Sequence, residues 1–315
     1  MSERESDDPS PPPVTMASGP GSPYPGLRAF TETEAAVFVG REAEVAVVWA
    51  RIPQHPLLAV IGPSGAGKSS FVRAGVVPAR PAGWAAIVCT PGAAPVRRLG
   101  QALTPALAGD PEAVPHLVDF DDLGVAVALL RRWRRAHPEA LLVLDQFEEL
   151  FTLNPPAEQT RLATLIGRVG AEAGVHVLLV LRDDFLLRCC AQPALAPVVH
   201  QLVPLLPLGA DGLRRALVEP AAACGYRFVP DTLPDALVAA VADTRAPLPL
   251  LAFTAARWWD RRDRTAHALT ADGYTAIGGV AGALAQHADE TLARVGVARE
   301  PLVRELFRNL VTAQG

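Results

Sequence analysis

The sequence predicts an α/β protein in which a five-stranded parallel sheet with helices on both faces precedes an all-helical domain. Three observations support this prediction. Five short, mostly apolar runs are each bounded by Gly, Pro or charged residues, as is typical of strands that are covered on both faces. Stretches of helical periodicity separate these runs, and after residue 208 helical patterns follow one another without a strand. At 315 residues the chain has room for two or three compact units.

Each apolar run is too short for a core helix, so we interpret each as a strand. The strands are predicted at 57–62, 84–89, 140–145, 175–182 and 201–208. The helices between them are predicted at 69–77, about 123–136, 157–173 and 183–191. Strands that alternate with helical crossovers form a doubly wound parallel sheet.

The sequence divides into four regions. Residues 1–25 are rich in Pro, Ser, Gly and acidic residues, and we expect them to form a disordered tail. The predicted sheet and its helices occupy 26–208, and the helical domain occupies 209–295. One more amphipathic helix begins within 296–315, and its apolar face lacks a partner in the remaining sequence, so we expect the protein to continue further.

The composition argues against several classes of protein. Charged residues make up 20% of the chain and the net charge is −4, which does not favour a nucleic-acid-binding protein. We expect the one basic cluster, 131–137, to be the exposed end of a helix. The four cysteines fit neither a zinc site nor a disulfide framework. The N-terminus is acidic and the longest apolar run carries four prolines, so we expect a cytoplasmic protein without a membrane span.

A phosphate-binding loop follows the first predicted strand. Residues 62–69 match G-x-x-x-x-G-K-[ST] in full and lie between a predicted strand and a predicted helix, as this motif requires. The glycines let backbone N–H groups point at phosphate oxygens. The ammonium of Lys68, the only lysine in the chain, would bind the β- and γ-phosphates. The nucleotide-binding residues predicted from this motif are Gly62, Pro63, Ser64, Gly65, Ala66, Gly67, Lys68, Ser69 and Ser70.

A second motif, 140–151, supplies carboxylates. Its strand delivers Asp145 to the edge of the sheet beside the phosphate-binding loop, where it would hold Mg²⁺ together with the hydroxyl of Ser69. Glu148 and Glu149 follow, and either of them would orient or deprotonate an attacking water. A buried strand that merely precedes an acidic helix is the structural alternative.

The strand predicted at 175–182 ends at Arg182. Because the carboxyl ends of parallel strands meet at one edge of a sheet, we expect this side chain near the γ-phosphate. An ordinary surface turn is the alternative. The predicted catalytic residues are therefore Lys68, Asp145, Glu148, Glu149 and Arg182, and the predicted metal ligands are Ser69 and Asp145.

Seven motifs in a fixed order make the chain resemble the STAND class of P-loop NTPases, specifically the novel STAND NTPase 1 subfamily. They are PYPGLRAF (23–30), FVGREAE (38–44), GPSGAGKSSFVRAGVVP (62–78), LLVLDQFEELF (141–151), LRDDF (181–185), PLPLLAF (247–253) and LTADGYTAIGGVAGALAQHAD (269–289). The resemblance implies an ASCE-type P-loop NTPase core, a helical lid domain at 209–295 and, within 296–315, the start of a winged-helix domain.

The resemblance also implies a function: a signalling switch that binds ATP or ADP with Mg²⁺, hydrolyses ATP slowly and self-associates in the ATP state. Sensor or repeat domains usually accompany such modules and would lie outside this chain. Family precedent places Phe38, Val39, Gly40 and Arg41 in the adenine pocket, and Pro249 at the base as a lid proline. The sequence departs from the family pattern at two places that bear on the hydrolysis rate. These are Gln146 and the segment 245–251, which lacks a glycine.

Two other functions are compatible with the motifs. The first is a nucleotide-binding scaffold with negligible turnover, which Gln146 keeps open. The second is a small-molecule kinase, because similar loops open guanylate-kinase-like folds. A loop as far into the chain as residue 62 and a helical domain after the sheet argue against the kinase.

Overall fold

A computed structural model describes residues 22–109 and 120–295, together with residues 301, 302, 304, 305 and 308. The tail predicted at 1–25 lies outside the described residues except for 22–25. The same is true of most of 296–315, where we expect the start of a winged helix.

A five-stranded sheet forms the centre of the first domain, and every pair of neighbouring strands is parallel. The strands are β1 Leu57–Gly62, β2 Trp84–Cys89, β3 Glu139–Leu144, β4 His176–Arg182 and β5 Leu202–Pro204. Their order across the sheet is β2-β3-β4-β1-β5. Because β4 lies between β1 and β3, the order is that of an ASCE-type P-loop NTPase, and the predicted fold class is confirmed.

The fifth strand is shorter than the run 201–208 predicts. Proline has no N–H group to donate to a neighbouring strand, and this run contains Pro204 and Pro207. The backbone N–H of Leu205 still donates to the carbonyl of Ile61 (2.7 Å). After this last hydrogen bond the chain leaves the sheet.

Helices cover both faces of the sheet. The α-helices of this domain are α1 Glu42–Arg51, α2 Lys68–Ser70, α3 Pro95–Leu107, α4 Leu123–Arg135, α5 Glu149–Leu153, α6 Pro156–Arg168 and α7 Leu186–Cys190. π-Helical segments continue α2 over Phe71–Val76 and α6 over Val169–Ala173. Short 3-10 helices occupy Glu32–Val37, Ile52–Gln54, Asp183–Phe185 and Ala196–His200.

The central strands contribute to a hydrophobic core on each face. Leu142 and Leu144 of β3 pack with α3, α4 and α6. Leu141 and Val143 of the same strand pack on the opposite face with α1 and the π-helical segment after α2. Since successive strand side chains point to opposite faces, a strand covered on both sides is apolar at every position, as the sequence pattern of β3 predicts.

Residues 209–295, for which we predict a lid, have a hydrophobic core of their own, and we keep the name lid for them. Its helices are α8 Ala210–Ala223, α9 Leu233–Ala242, α10 Pro247–Asp260, α11 Ala271–Ala276 and α12 Gly279–Val295. Trp258 and Trp259 are both buried in this core. None of the helices in the described part of the chain has the length and apolar character that a membrane crossing requires.

The expectation of an all-helical lid needs one correction. Two short parallel strands, β6 Arg227–Val229 and β7 Ala268–Thr270, pair within this domain. Each has only three residues, too few for a hydrophobic alternation to be recognised in the sequence. They join the chain after α8 to the chain after α10.

The segment 23–30, which we call the strap, connects the lid to the first domain. Tyr24 is buried in the lid core, where its hydroxyl donates to the carbonyl of Leu217. At the other end the N–H of Phe30 donates to the hydroxyl of Ser70 (3.1 Å), and the Phe30 ring packs against Phe38 with centroids 5.7 Å apart. The strap therefore bridges the lid and the helix that follows the phosphate-binding loop.

Candidate nucleotide-binding site

The phosphate-binding loop lies between β1 and α2, and its shape depends on glycine. Gly65 and Gly67 have φ angles of +82° and +86°, in the left-handed region that glycine adopts most readily. A Cβ atom at Gly62 would overlap the carbonyl oxygen of Leu205. Each motif glycine thus has a structural reason: two set the curl of the loop, and one allows the chain after β5 to pass close by.

Lys68 begins α2, and its ammonium folds back over the loop. Nζ donates to the carbonyl oxygens of Gly62 (2.8 Å) and Pro63 (2.9 Å). Burial lowers the pKa of this ammonium, while the nearby carboxylates of Glu148 and Asp183 act in the opposite direction. A lowered pKa increases the fraction of neutral amine at a given pH.

Asp145 follows β3 directly and is 1% exposed. Its Oδ1 accepts hydrogen bonds from the Ser69 hydroxyl (2.9 Å) and from the backbone N–H of Gln146 (3.0 Å). Its Oδ2 accepts from Nε of Arg73 (3.0 Å). The structure thus brings together the two predicted metal ligands and adds a cation that the sequence analysis did not identify.

The two glutamates that the sequence left as alternatives have different surroundings. Glu148 lines the cavity described below, and its Oε2 is buried without a hydrogen-bond partner among the described residues. Glu149 begins α5, and its Oε2 accepts from the backbone N–H of Gly92 (3.0 Å). Glu149 therefore holds the loop after β2, whereas Glu148 faces the space above the phosphate-binding loop.

Arg182 ends β4 and is the register partner of Gly62 on β1. It lines the cavity and forms a two-point ion pair with Asp184 (3.0 and 2.6 Å). The guanidinium also lies over the ring of Phe185, 5.7 Å from its centroid. The adjacent strands thus bring Arg182 to the loop. In this structure its guanidinium interacts with Asp184 and Phe185.

A cavity of about 320 Å³ lies between the phosphate-binding loop, the strap and the lid. Its walls include a large part of the predicted site, namely Phe38, Val39, Arg41, Ser64, Gly65, Ala66, Gly67, Lys68, Ser69, Ser70, Asp145, Glu148, Arg182 and Pro249. Gly40, Gly62, Pro63 and Glu149 do not line it. The strap residues 25–30 supply walls that the sequence analysis did not predict.

Arg41 lies in the wall but also supports the loop. It is 5% exposed, and its Nη2 donates to the carbonyls of Leu206 (2.7 Å) and Ala66 (3.3 Å). Nη1 pairs with Glu44 (2.7 Å). Arg41 therefore ties the phosphate-binding loop to the chain after β5, while Phe38 and Val39 offer apolar surface to the cavity.

The first turn of α10 rests on the phosphate-binding loop. A Cβ atom at Gly67 would lie 2.8 Å from Cδ2 of Leu248, and one at Gly65 would lie 3.2 Å from Cγ of Pro249. An ion pair between Arg215 and Glu42 (3.0 Å) also connects the lid to α1. The lid thus lies in direct contact with the loop.

The family of the chain follows from its sequence. Residues 23–315 match the model of the family described as Novel STAND NTPase 1. The chain belongs to this family. It is a P-loop NTPase, which agrees with the loop, the strand order and the carboxylate at the end of β3. A search of curated proteins found no match.

Solved structures show the same fold at low sequence identity. A Walker-type ATPase of Pyrococcus abyssi is 16% identical, with a TM-score of 0.56 over 90% of this chain and 80% of that one. The ORC1 protein of Aeropyrum pernix, solved in complex with DNA, is 19% identical, with a TM-score of 0.51 over 80% and 66%. The ORC2 protein of Aeropyrum pernix, solved with ADPNP and ADP, is 17% identical, with a TM-score of 0.50 over 84% and 69%.

The site of this Novel STAND NTPase 1 protein fits Mg²⁺. The hydroxyl of Ser69 and the carboxylate of Asp145 are in contact and both line the cavity. They supply the oxygen donors that Mg²⁺ prefers, and this ion usually fills its other positions with phosphate oxygens and water. These two side chains would therefore hold the metal of a bound nucleotide.

Two parts of the site, the strap and Arg73, were not predicted from the sequence. The strap was recognised as a family motif, but its residue types carry no nucleotide chemistry. Arg73 was overlooked although a signal was present. It lies four residues after Ser69, and this spacing places two side chains on the same face of a helix.

Proposed function

We propose that this protein is a signalling switch in which ADP or ATP, bound between the phosphate-binding loop and the lid, determines the position of the lid. One observation carries the proposal: the first turn of α10 packs on Gly65 and Gly67, the glycines that shape the loop for phosphate. The lid therefore contacts the same surface that the phosphates would use.

This contact gives the nucleotide a way to act on the lid. A ligand shifts a conformational equilibrium only as far as its affinities for the two states differ. ADP fits the closed lid in this proposal. A γ-phosphate adds charge and volume beside Lys68 and Arg182, next to Leu248, so ATP favours an open lid. The opened surfaces then allow self-association, and slow hydrolysis restores the ADP state.

The residues would divide the chemistry as follows. Lys68 exchanges its two carbonyl partners for phosphate oxygens. Glu148, which faces the cavity, orients or deprotonates the attacking water, and Glu149 has a structural role. Arg182 releases Asp184 to contact the γ-phosphate. Mg²⁺, when bound to Ser69 and Asp145, would offset phosphate charge.

The basic cluster at 131–137 does not favour a nucleic-acid partner. Arg131 donates to the carbonyl of Glu172 (2.8 Å) and Arg134 to that of Gly174 (3.1 Å), while Trp133 is 1% exposed. These side chains satisfy the end of a neighbouring helical segment. We therefore propose a cytoplasmic switch whose partners are its own copies and sensor domains rather than a nucleic acid.

Sedimentation of the nucleotide-loaded protein tests the switch. We expect the ADP form to sediment as a monomer and the Mg²⁺–ATP form as a larger species. Lys68→Ala should bind neither nucleotide well and should sediment alike under both conditions. Identical sedimentation of the wild-type ADP and ATP forms would contradict nucleotide-controlled assembly.

A second candidate is a nucleotide-binding scaffold with negligible turnover. It is favoured by the contact between Arg73 and Asp145, which pairs the predicted metal-binding carboxylate with a cation of the protein itself. Phosphate release separates the two functions. A switch should release phosphate slowly and lose this activity in Glu148→Gln, whereas a scaffold should release none above background in either form.

A further inference from the structure

Both carboxylate oxygens of Asp145 have hydrogen-bond partners within the protein. Its side chain is 2% exposed and pairs with Arg73, whose side chain is 34% exposed. The other carboxylate oxygen accepts from Ser69 and from the N–H of Gln146. Both oxygens are thus occupied, and one of them is occupied by a cation that belongs to the protein.

The helix geometry explains how Arg73 reaches this position. Ser69 lies in α2 and Arg73 in the π-helical segment that continues it. Residues four apart lie on the same helix face, so both side chains meet Asp145. Ser69 and Asp145 line the cavity, but Arg73 does not. Arg73 therefore contacts the carboxylate of Asp145 from the side that faces away from the cavity. A ligand in the cavity need not displace the guanidinium from this contact.

We propose that Arg73 is a positioning residue that serves as a resident counter-ion for Asp145. It fixes the carboxylate in contact with Ser69 and offsets its negative charge. The site consequently binds a nucleoside diphosphate with little help from Mg²⁺ and binds the metal weakly. This inference rests on the proposed nucleotide site.

The charges around the loop support this role. Lys68 interacts with the carboxylates of Glu148, Asp183 and Asp145 as well as with the guanidinium of Arg182. Without Arg73, the carboxylates would repel a diphosphate and attract a divalent cation. The positive charge of Arg73 beside Asp145 opposes both effects, because the interaction of two charges depends on their signs and on the dielectric between them.

Metal and nucleotide affinities measured separately test the proposal. ADP binding is measured by calorimetry with excess Mg²⁺ and with EDTA, and Mn²⁺ binding to the ADP-loaded protein is measured by electron paramagnetic resonance. For the wild type we expect ADP affinity to change less than about threefold on metal removal. Arg73→Gln should bind Mn²⁺ about tenfold more tightly and bind metal-free ADP about tenfold more weakly, a factor worth about 1.4 kcal/mol.

Two variants serve as controls. Arg73→Lys keeps the charge and should stay within about threefold of the wild type in both measurements. Arg80→Gln removes an exposed arginine further along the same stretch of chain, where its guanidinium donates only to the carbonyl of Val77 among the contacts described. It should leave both affinities unchanged.

The outcomes separate this inference from the proposed function. Wild-type protein that binds ADP only with Mg²⁺, or Arg73→Gln protein that binds Mn²⁺ no more tightly than the wild type, overturns the role of Arg73. Absence of any nucleotide binding overturns the nucleotide site and this inference with it. If Arg73→Gln does not fold, the ADP affinity of the wild type with Mg²⁺ and with EDTA decides whether Arg73 has the proposed role.

Discussion

Replacing Tyr24 tests whether the strap couples the lid to the nucleotide cavity. Tyr24 is 4% exposed, its hydroxyl donates to the carbonyl of Leu217, and its ring packs edge-on against Trp259 with centroids 5.9 Å apart. Tyr24→Phe deletes one hydrogen bond and should cost about 1 kcal/mol, or about 2 °C in melting temperature. Tyr24→Ala also removes the buried ring and should cost about 3–5 kcal/mol.

The two variants should differ in nucleotide binding as well as in stability. Tyr24 does not line the cavity, but the strap residues that follow it do. Tyr24→Phe keeps the ring in place and should bind ADP as the wild type does. Tyr24→Ala releases the strap from the lid and should bind ADP more weakly, by about tenfold if one ordered wall is lost.

Calorimetric titration with ADP, below the melting temperature of each variant, measures this effect. Phe228→Ala is the matched control, because it removes another buried aromatic from the same lid core, one that packs on Trp258 with centroids 5.2 Å apart. Wild-type ADP affinity in folded Tyr24→Ala protein, or an equal loss of affinity in Phe228→Ala protein, would refute coupling through the strap.

Three further predictions follow from the site and the strap. Glu148→Gln should lower phosphate release at least about tenfold with ADP affinity kept, whereas Glu149→Gln should mainly lower the melting temperature. Gly62→Ala should destabilise the protein by about 3 kcal/mol in chemical unfolding, because its Cβ meets the backbone of Leu205. A hydrogen bond from Arg28 lowers the pKa of Glu34 to about 2 from the usual 4.5, so this carboxylate stabilises the protein above pH 4.5, and the stabilisation disappears as the pH falls to about 2.

Controls and contrary outcomes distinguish these predictions. Equal loss of phosphate release in Glu148→Gln and Glu149→Gln would contradict the separate roles. Gly109→Ala adds a Cβ that meets no atom of the described residues within 4 Å, and a similar loss of stability there would mean that the effect at Gly62 is not steric. Glu34→Gln should reduce the loss in free energy of unfolding between pH 4.5 and about pH 2. An unchanged loss in this variant would show that other carboxylates dominate the pH dependence.

The sequence predicted the central sheet well because its strands are buried on both faces. Such strands are apolar at every position, so β1 and β2 begin and end where the hydrophobic runs do. The lid strands β6 and β7 were missed because three residues carry no readable pattern. α3 was missed because its sequence contains Pro105, which disfavours a helix interior, and its packing against the sheet overrides this preference.

The candidate site was only partly predictable for a different reason. The motif at 62–69 is local in sequence, so its residues could be predicted from spacing alone, and residues 64–69 line the cavity. The choice between Glu148 and Glu149 depends on where α5 begins and on a distant N–H group of Gly92. The contact between Arg73 and Asp145 joins two residues far apart in sequence, and the spacing of four from Ser69 indicates only which helix face Arg73 shares, not its partner. The strap over the cavity is also a contact between distant segments, and no local pattern records it.

Selective acylation of Lys68 tests the central claim most directly. Because Lys68 is the only lysine in the chain, an amine-reactive reagent modifies it and the terminal amino group alone, and its lowered pKa favours reaction. The modified fraction at Lys68 is measured by mass spectrometry with and without ADP or ATP, and the terminal amine is the internal reference. We expect both nucleotides to protect Lys68 strongly while the terminal amine reacts as before. Unchanged acylation of Lys68 at saturating nucleotide would contradict phosphate binding in this loop, and with it the proposed switch.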